Sequence, residues 1–385
     1  MGKGALGLLS AYWPEMTARH AHIPLERATQ FTVHRSAKSD PDRAALVTPK
    51  RSVTFAELSD LVRRAGAGIA ERVADGGRVA ILVDDPIAQA ACAFGAWEAD
   101  RLAFVASGPV PFERLADFAP DLVIARELAH APPGVPVNTP HTVLATGPVT
   151  APGKPNLRTP VLVLAKPDHS GEVAHNHKTL VGTAVAFSSF FQFEPGAEVV
   201  LLDPPSGWLG LAVVLGAWHR ATTIRVAWTA DWAGHPDRVD YLVGSFATAD
   251  ARYAGATPAL RDVRAGVGAI LGIEGPFSPA RRRRLARRLG TPVLTLYGRN
   301  DLGPAIGSHP TWYLDDAVGI PLPNVDTRPL DPSDGTELTI GWDAVEEAEI
   351  GVKSVLAPAG GELSGTWLRT KMIGQVDPTG LYFVR

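Results

Sequence analysis

Apolar and polar positions follow two rhythms along this chain. Short runs rich in β-branched residues, such as Arg78-Val-Ala-Ile-Leu-Val83, stop at turn residues. Longer Ala- and Leu-rich stretches with helical spacing follow them, and the first opens at Pro86, where proline suits an initial helical turn. This spacing predicts strands over 78–83, 102–105 and 121–124, with helices over 86–98 and 112–118 between them. After a Pro- and Gly-rich stretch, 131–160, the alternation resumes. Strands are predicted over 160–164, 198–202, 222–226, 241–243, 268–271 and 292–296, and helices over 176–190, 207–219 and 278–289. Apolar strands separated by helices predict an α/β fold with doubly wound, mostly parallel sheets covered on both faces. Past Val318 turns crowd together and short strands follow over 337–340, 367–370 and 381–384, as expected of a small antiparallel β-barrel. The expected units are an α/β subdomain over 1–150, a second over 151–317 and the barrel over 318–385.

Composition narrows the function. The 385 residues carry 37 Lys+Arg against 40 Asp+Glu and are 45% hydrophobic, which suits packed units and gives no electrostatic footprint for nucleic acid. A lone cysteine, Cys92, excludes an internal disulfide and a thiolate zinc site. The first residues lack a cleavable leader pattern, and the strongest apolar stretch, 209–218, is half a membrane span. A cytoplasmic protein that binds neither membrane nor nucleic acid is expected.

Common catalytic motifs are missing: no G-x-S-x-G elbow, Walker lysine loop, G-x-G-x-x-G or H-E-x-x-H occurs. His169, His175 and His177 lie within nine residues, with Glu172 nearby. A metal reading needs fixed geometry and a supporting carboxylate; the plainer reading is polar loop residues beside a helix start, with Asn176 as cap. The arginine run 281–284 and 287–288 reads as the solvated face of an amphipathic helix anchored by Leu285 and Leu289.

Several segments, in order, resemble the adenylate-forming superfamily of acyl-CoA synthetases, peptide-synthetase adenylation domains and luciferases. They are Pro41-Asp-Arg-Ala-Ala-Leu46 with Val53-Thr-Phe-Ala-Glu-Leu58, Gly207-Trp-Leu-Gly-Leu211, Ile270-Leu-Gly-Ile-Glu-Gly-Pro-Phe-Ser-Pro279, Tyr297-Gly298, Gly319-Ile-Pro-Leu-Pro-Asn324 and Trp367-Leu-Arg-Thr370. The resemblance implies the family's large N-terminal domain. It also implies an acyl pocket, for which Trp208, Gly272 and Tyr297 are the candidate residues.

Departures from the family pattern fall on the parts that handle ATP. The phosphate loop T-S-G-[ST]-T-G-x-P-K-G is shortened to Ala165-Lys-Pro-Asp-His-Ser-Gly-Glu-Val173. Asp168 and Glu172 place negative charge there, Ser170 and Gly171 are what remain of its hydroxyls and glycines, and Lys166 precedes the family lysine. A triphosphate cradle needs backbone N–H donors and cations. Y-G-x-T-E reads Tyr297-Gly-Arg-Asn-Asp301, so Asn300 replaces the threonine and Asp301 is a shortened candidate for holding Mg²⁺. T-G-D reads Thr370-Lys-Met372, and a thioether cannot grip ribose hydroxyls. The sequence ends where the family's mobile C-terminal domain would begin, so that domain is expected to be absent. The expectation is a degenerate member that no longer adenylates with ATP and Mg²⁺. It would instead bind, transfer or modify an acyl group on CoA or a phosphopantetheine carrier protein, within specialised-metabolite biosynthesis. Ser206 and His169 are catalytic candidates by side-chain chemistry alone. The alternatives are a non-catalytic partner of a synthetase or carrier protein, and half of a split ligase completed by a separate C-terminal domain.

Overall fold

The computed structural model describes residues 20–107, 110–126, 132–147, 156–165, 171–205, 207–228, 239–253, 263–273, 278–340, 343–358, 363–364, 367–378 and 380–384. A π-helical turn, Gln30–His34, runs into α1 (Arg35–Ser39). Then come β1 (Ala44–Val47), β2 (Ser52–Thr54), α2 (Phe55–Ala70), β3 (Arg78–Leu82), α3 (Pro86–Glu98), β4 (Leu102–Ala106), α4 (Phe112–Phe118), β5 (Leu122–Ala125), β6 (Val137–Asn138) and α5 (Pro140–Leu144). The middle holds β7 (Pro160–Ala165), β8 (Glu172–Asn176), α6 (His177–Phe190), β9 (Glu198–Leu201), α7 (Trp208–His219), β10 (Thr223–Val226), β11 (Val239–Ser245), α8 (Phe246–Tyr253), β12 (Val263–Ile273) and α9 (Pro279–Leu289). Last are β13 (Val293–Arg299), β14 (Gly303–Gly307), β15 (Ile320–Pro321), β16 (Val325–Leu330), β17 (Val345–Ser354), β18 (Leu363–Ser364), β19 (Trp367–Val376) and β20 (Tyr382–Val384).

Local signals start and stop these helices. Thr54 and Glu57 form a reciprocal capping box on α2. Asp85 caps α3 ahead of Pro86, Asn176 caps α6, and Ser278 caps α9, which ends at Gly290 in the left-handed conformation.

The strands form a nine-stranded sheet in the order β15-β14-β13-β12-β11-β9-β10-β1-β2, parallel from β13 to β1. A six-stranded sheet runs β6-β5-β3-β4-β7-β8, parallel except for β8, and β16 to β20 form an antiparallel third sheet. Strand alternation sorts the core into layers. Val199 and Leu201 face inward with Ile81, Leu122, Trp97 and Trp218, so α3 and α7 lie in one core shared by both large sheets. Val200, Leu202 and Leu242 face outward onto Leu285 and Leu289 of α9. Ala80, Val123 and Phe104 face outward onto Leu115 and Phe118 of α4. Each parallel sheet is therefore covered on both faces. No helix among the described residues is long and apolar enough to cross a membrane.

Three expectations change. Segment 337–340 is not a strand: Glu337 makes one bridge to Leu330 and Leu338 N–H donates to Pro329 O, contacts that close the turn after β16 without extending into a ladder. His175 and His177 are not polar loop residues, since one lies in β8 and the other opens α6, and both are buried. On α9 the basic face is not uniformly solvated. Arg282 is buried and donates to the carbonyls of Val293, Leu314 and Ala317, tying the helix to the segment before β15.

Candidate functional site

The end of β13 is where the resemblance-derived positions meet. Tyr297 and Gly298 are in the strand, and Arg299, Asn300 and Asp301 turn out of it, closed by Leu302 N–H donating to Arg299 O at 3.0 Å. Asn300 joins three elements through one side chain. Its Oδ1 accepts from Trp208 N–H at 2.9 Å, and its Nδ2 donates to Ala165 O, the last residue of β7, at 2.8 Å. Gly207 has no side chain to cap α7, so Asn300 satisfies an orphan donor of that helix from across the fold. The backbone O of Asn300 accepts from His175 Nε2 at 2.9 Å. A carbonyl only accepts, so Nε2 carries the proton; Nδ1 is then a buried acceptor without a partner among the described residues, and burial lowers the imidazole to about 4.

Arg299 occupies the carboxylate of Asp301. Its Nε donates to Oδ1 at 2.8 Å and its Nη2 to Oδ2, while Nη1 donates to Thr370 O at 2.6 Å. Burial alone would lower the guanidinium, but the hydrogen bonds and charge of Asp301 together with Tyr297 outweigh that and hold it above its ordinary value. Across the gap, Lys371 stands in the left-handed region at φ 59°, where the family pattern has glycine. It is held there because its N–H donates to Glu349 Oε1 and because Met372 N–H donates to Thr370 Oγ1. The Met372 side chain packs against the core.

The acyl-pocket candidates adjoin one another through glycines. A Cβ on Gly272 would lie 2.8 Å from Leu209 Cδ2 and 3.4 Å from Trp208 Cζ2. One on Gly298 would lie 2.5 Å from Trp208 Cε3. The indole of Trp208 is therefore seated on two bare backbones, and it and Leu209 occupy the space above them. Tyr297 is buried, and burial pushes its phenol up. Gly171 has a positive φ of 155° just ahead of β8, and Glu172 pairs in register with Ala165. Partial burial raises the Glu172 carboxyl above its ordinary range. Ser206, His169, Asp168, Ser170 and Lys166 lie outside the described residues. No group of three or more potential metal ligands occurs among those described.

Two arrangements escaped the sequence reading. The Arg299–Asp301 pair carries a signal, two opposite charges two residues apart, which the turn at the end of β13 brings together. The other is a buried Ser59–His34–Glu98 line, with Ser59 Oγ 2.8 Å from His34 Nδ1 and His34 Nε2 3.2 Å from Glu98 Oε2. Its chemistry resembles a hydrolytic triad, but Ser59 is only 3% exposed and Glu98 also accepts from Thr29. The line pins the π-helical turn to α2 and α3.

Comparison with solved structures places this geometry. MatB from Rhodopseudomonas palustris without ligand superposes with a TM-score of 0.80 at 18% identity, over 93% of this chain and 78% of that one. VinN gives 0.78 at 19% identity, over 94% and 98%. The N-terminal domain of FACL13 from Mycobacterium tuberculosis gives 0.76 at 17% identity, over 94% and 100%. The fold is that of the adenylate-forming acyl-CoA synthetases. No protein-family model matches the sequence, and no curated protein does. Within this fold, Arg299 ties the end of β13 to Thr370 O, beside the turn at Lys371.

Proposed function

We propose that this chain uses an acyl-CoA synthetase scaffold without ATP-dependent adenylation, and that it binds, transfers or modifies an acyl group carried on CoA or on a carrier protein. The observation that carries the reading is the occupation of Asp301. Both carboxylate oxygens are held by Arg299, which also reaches Thr370 O beside the position where a ribose-binding aspartate is replaced by Met372. A magnesium ion would have to displace a guanidinium from a carboxylate that is 6% exposed. Breaking a buried pair costs about 3 kcal/mol or more, roughly a hundredfold in affinity. The residues present therefore do not fit Mg·ATP. The thioester half of the reading draws on the fold's relatives, one of which is O-succinylbenzoate coenzyme A synthetase from Bacillus subtilis.

Calorimetric titration tests both halves. Mg·ATP and AMP should give no heat up to millimolar concentration, whereas octanoyl-CoA should bind in the micromolar range. Micromolar binding of Mg·ATP would overturn the reading and favour half of a split ligase. Absence of binding or turnover with acyl thioesters would remove its second half.

A further inference from the structure

On the flank of α7 turned away from Gly272 and Gly298, the structure contains an apolar cavity of about 650 Å³ of empty space, its open mouth included. Ala90, Ala93 and Trp97 of α3 form one wall, and Leu211, Val214 and Trp218 of α7 form the other. Strand residues from both large sheets close it: Val105 and Leu164 on one side, Leu201 and Ile224 on the other. Val105, Leu164 and Leu201 stand at or next to the carboxyl end of their strands, Ile224 is the second residue of β10, and Pro86, Pro205 and Trp228, which follow strand ends, add to the lining. In open α/β sheets, the carboxyl ends of strands are where ligands enter.

The polar atoms of the wall say what kind of ligand fits. Gln89 donates its amide to Val83 O, Ala106 O and Ser107 Oγ, so its nitrogen is committed to the loops after β3 and β4. Trp218 Nε1 donates to Ala45 O at 3.0 Å. Trp97, only 2% exposed, has a buried Nε1–H with no acceptor among the described residues. A buried donor left unpaired is costly, and a ligand that supplies an acceptor relieves that cost. We infer that the cavity between α3 and α7 binds an uncharged, mainly aliphatic ligand bearing one acceptor, such as the carbonyl of an acyl ester, received by Trp97. This site is separate from the Trp208–Gly272–Tyr297 cluster, and it stands whether or not the protein handles thioesters.

The test uses methyl octanoate, which contains neither nucleotide nor CoA, so its outcome is independent of the titrations above. In protein labelled with ¹⁵N-tryptophan, nine indole signals are expected, and Trp97→Phe assigns one of them. Methyl octanoate should move that signal downfield with saturation at one ligand per chain. Filling the cavity from either wall, by Ala93→Phe or by Val214→Trp, should weaken binding at least tenfold with the remaining indole signals in place. Trp97→Phe should weaken it about fivefold, as the loss of one hydrogen bond. If no signal moves up to the solubility limit, or if whichever filled variant folds binds as well as the parent, the inference is wrong. Binding that leaves the Trp97 signal unmoved would refute the acceptor role.

Discussion

Acid should loosen this fold through His175, by an amount that can be worked out. His175 is 2% exposed, donates from Nε2 to Asn300 O, and has no partner for Nδ1 among the described residues. Protonation would bury a cation with one N–H unsatisfied, and burial accordingly lowers the group from 6.5 to about 4. Between those two values the unfolded chain binds the proton and the folded chain does not, so stability rises with pH. The contribution is complete above the unfolded value of 6.5 and is lost as pH falls from there through the folded value of about 4. Across the whole interval it is worth about 3 kcal/mol, of which about 2 kcal/mol disappears between about pH 7 and about pH 5. His219, stacked on Phe31, is also lowered to about 4, by burial first and then by Arg220 and Arg35, and it adds in the same direction.

Urea denaturation followed by tryptophan fluorescence at about pH 7, 6 and 5 reads this directly. His175→Phe keeps the site apolar but strands Asn300 O, so at neutral pH it should cost about 1 kcal/mol or more. Its stability should then fall less steeply with acid than that of the parent, because one titrating group is gone. A parent whose stability is flat from about pH 7 to about pH 5 would refute the reasoning. So would a His175→Phe variant with an unchanged slope.

Three further outcomes follow from the same geometry. Gly298→Ala should destabilise by about 1–3 kcal/mol and shift the tryptophan emission, because its methyl would meet the Trp208 indole at 2.5 Å and Gly303 O at 2.6 Å; thermal melting measures the first effect. Arg369→Met should cost about 3–5 kcal/mol by stranding the carboxylate of Glu349, which is 1% exposed. The double replacement with Glu349→Met should recover much of that loss in a denaturant series. Magnesium at about 10 mM should leave the parent's melting temperature unchanged and raise that of Arg299→Ala, whose Asp301 is released from its partner. Equal responses would show that Arg299 is not what closes the carboxylate to the ion.

Legibility divides along a physical line. The parallel strands and the helices between them were readable because burial on both faces forces continuous apolar runs, and because caps and prolines such as Asp85-Pro86 and Ser278-Pro279 mark helix starts locally. The antiparallel elements at the sheet margins were not. Glu172–Asn176 carries a charge and a histidine, and Gly303–Gly307 reads as a turn, yet each is a strand because the neighbouring strand end offers a row of unpaired backbone groups. The same limit applies to the site. Motif order singles out Trp208 and Gly272 in matching segments, and Asn300, Asp301 and Met372 as departures at fixed places in a pattern. What those departures do depends on contacts between residues far apart in the chain. Asn300 acts as the cap of a helix that begins 92 residues earlier, and Arg299 reaches Thr370 across 71 residues. Neither partner can be inferred from its own neighbourhood. Read together, the changes are not scattered losses. The residue standing where the family pattern has threonine fastens α7 and β7, and the residue before it fastens the third sheet, so on the proposed reading these positions hold the scaffold together in place of serving a nucleotide. Restoring one family residue alone should therefore weaken the fold before it restores any chemistry.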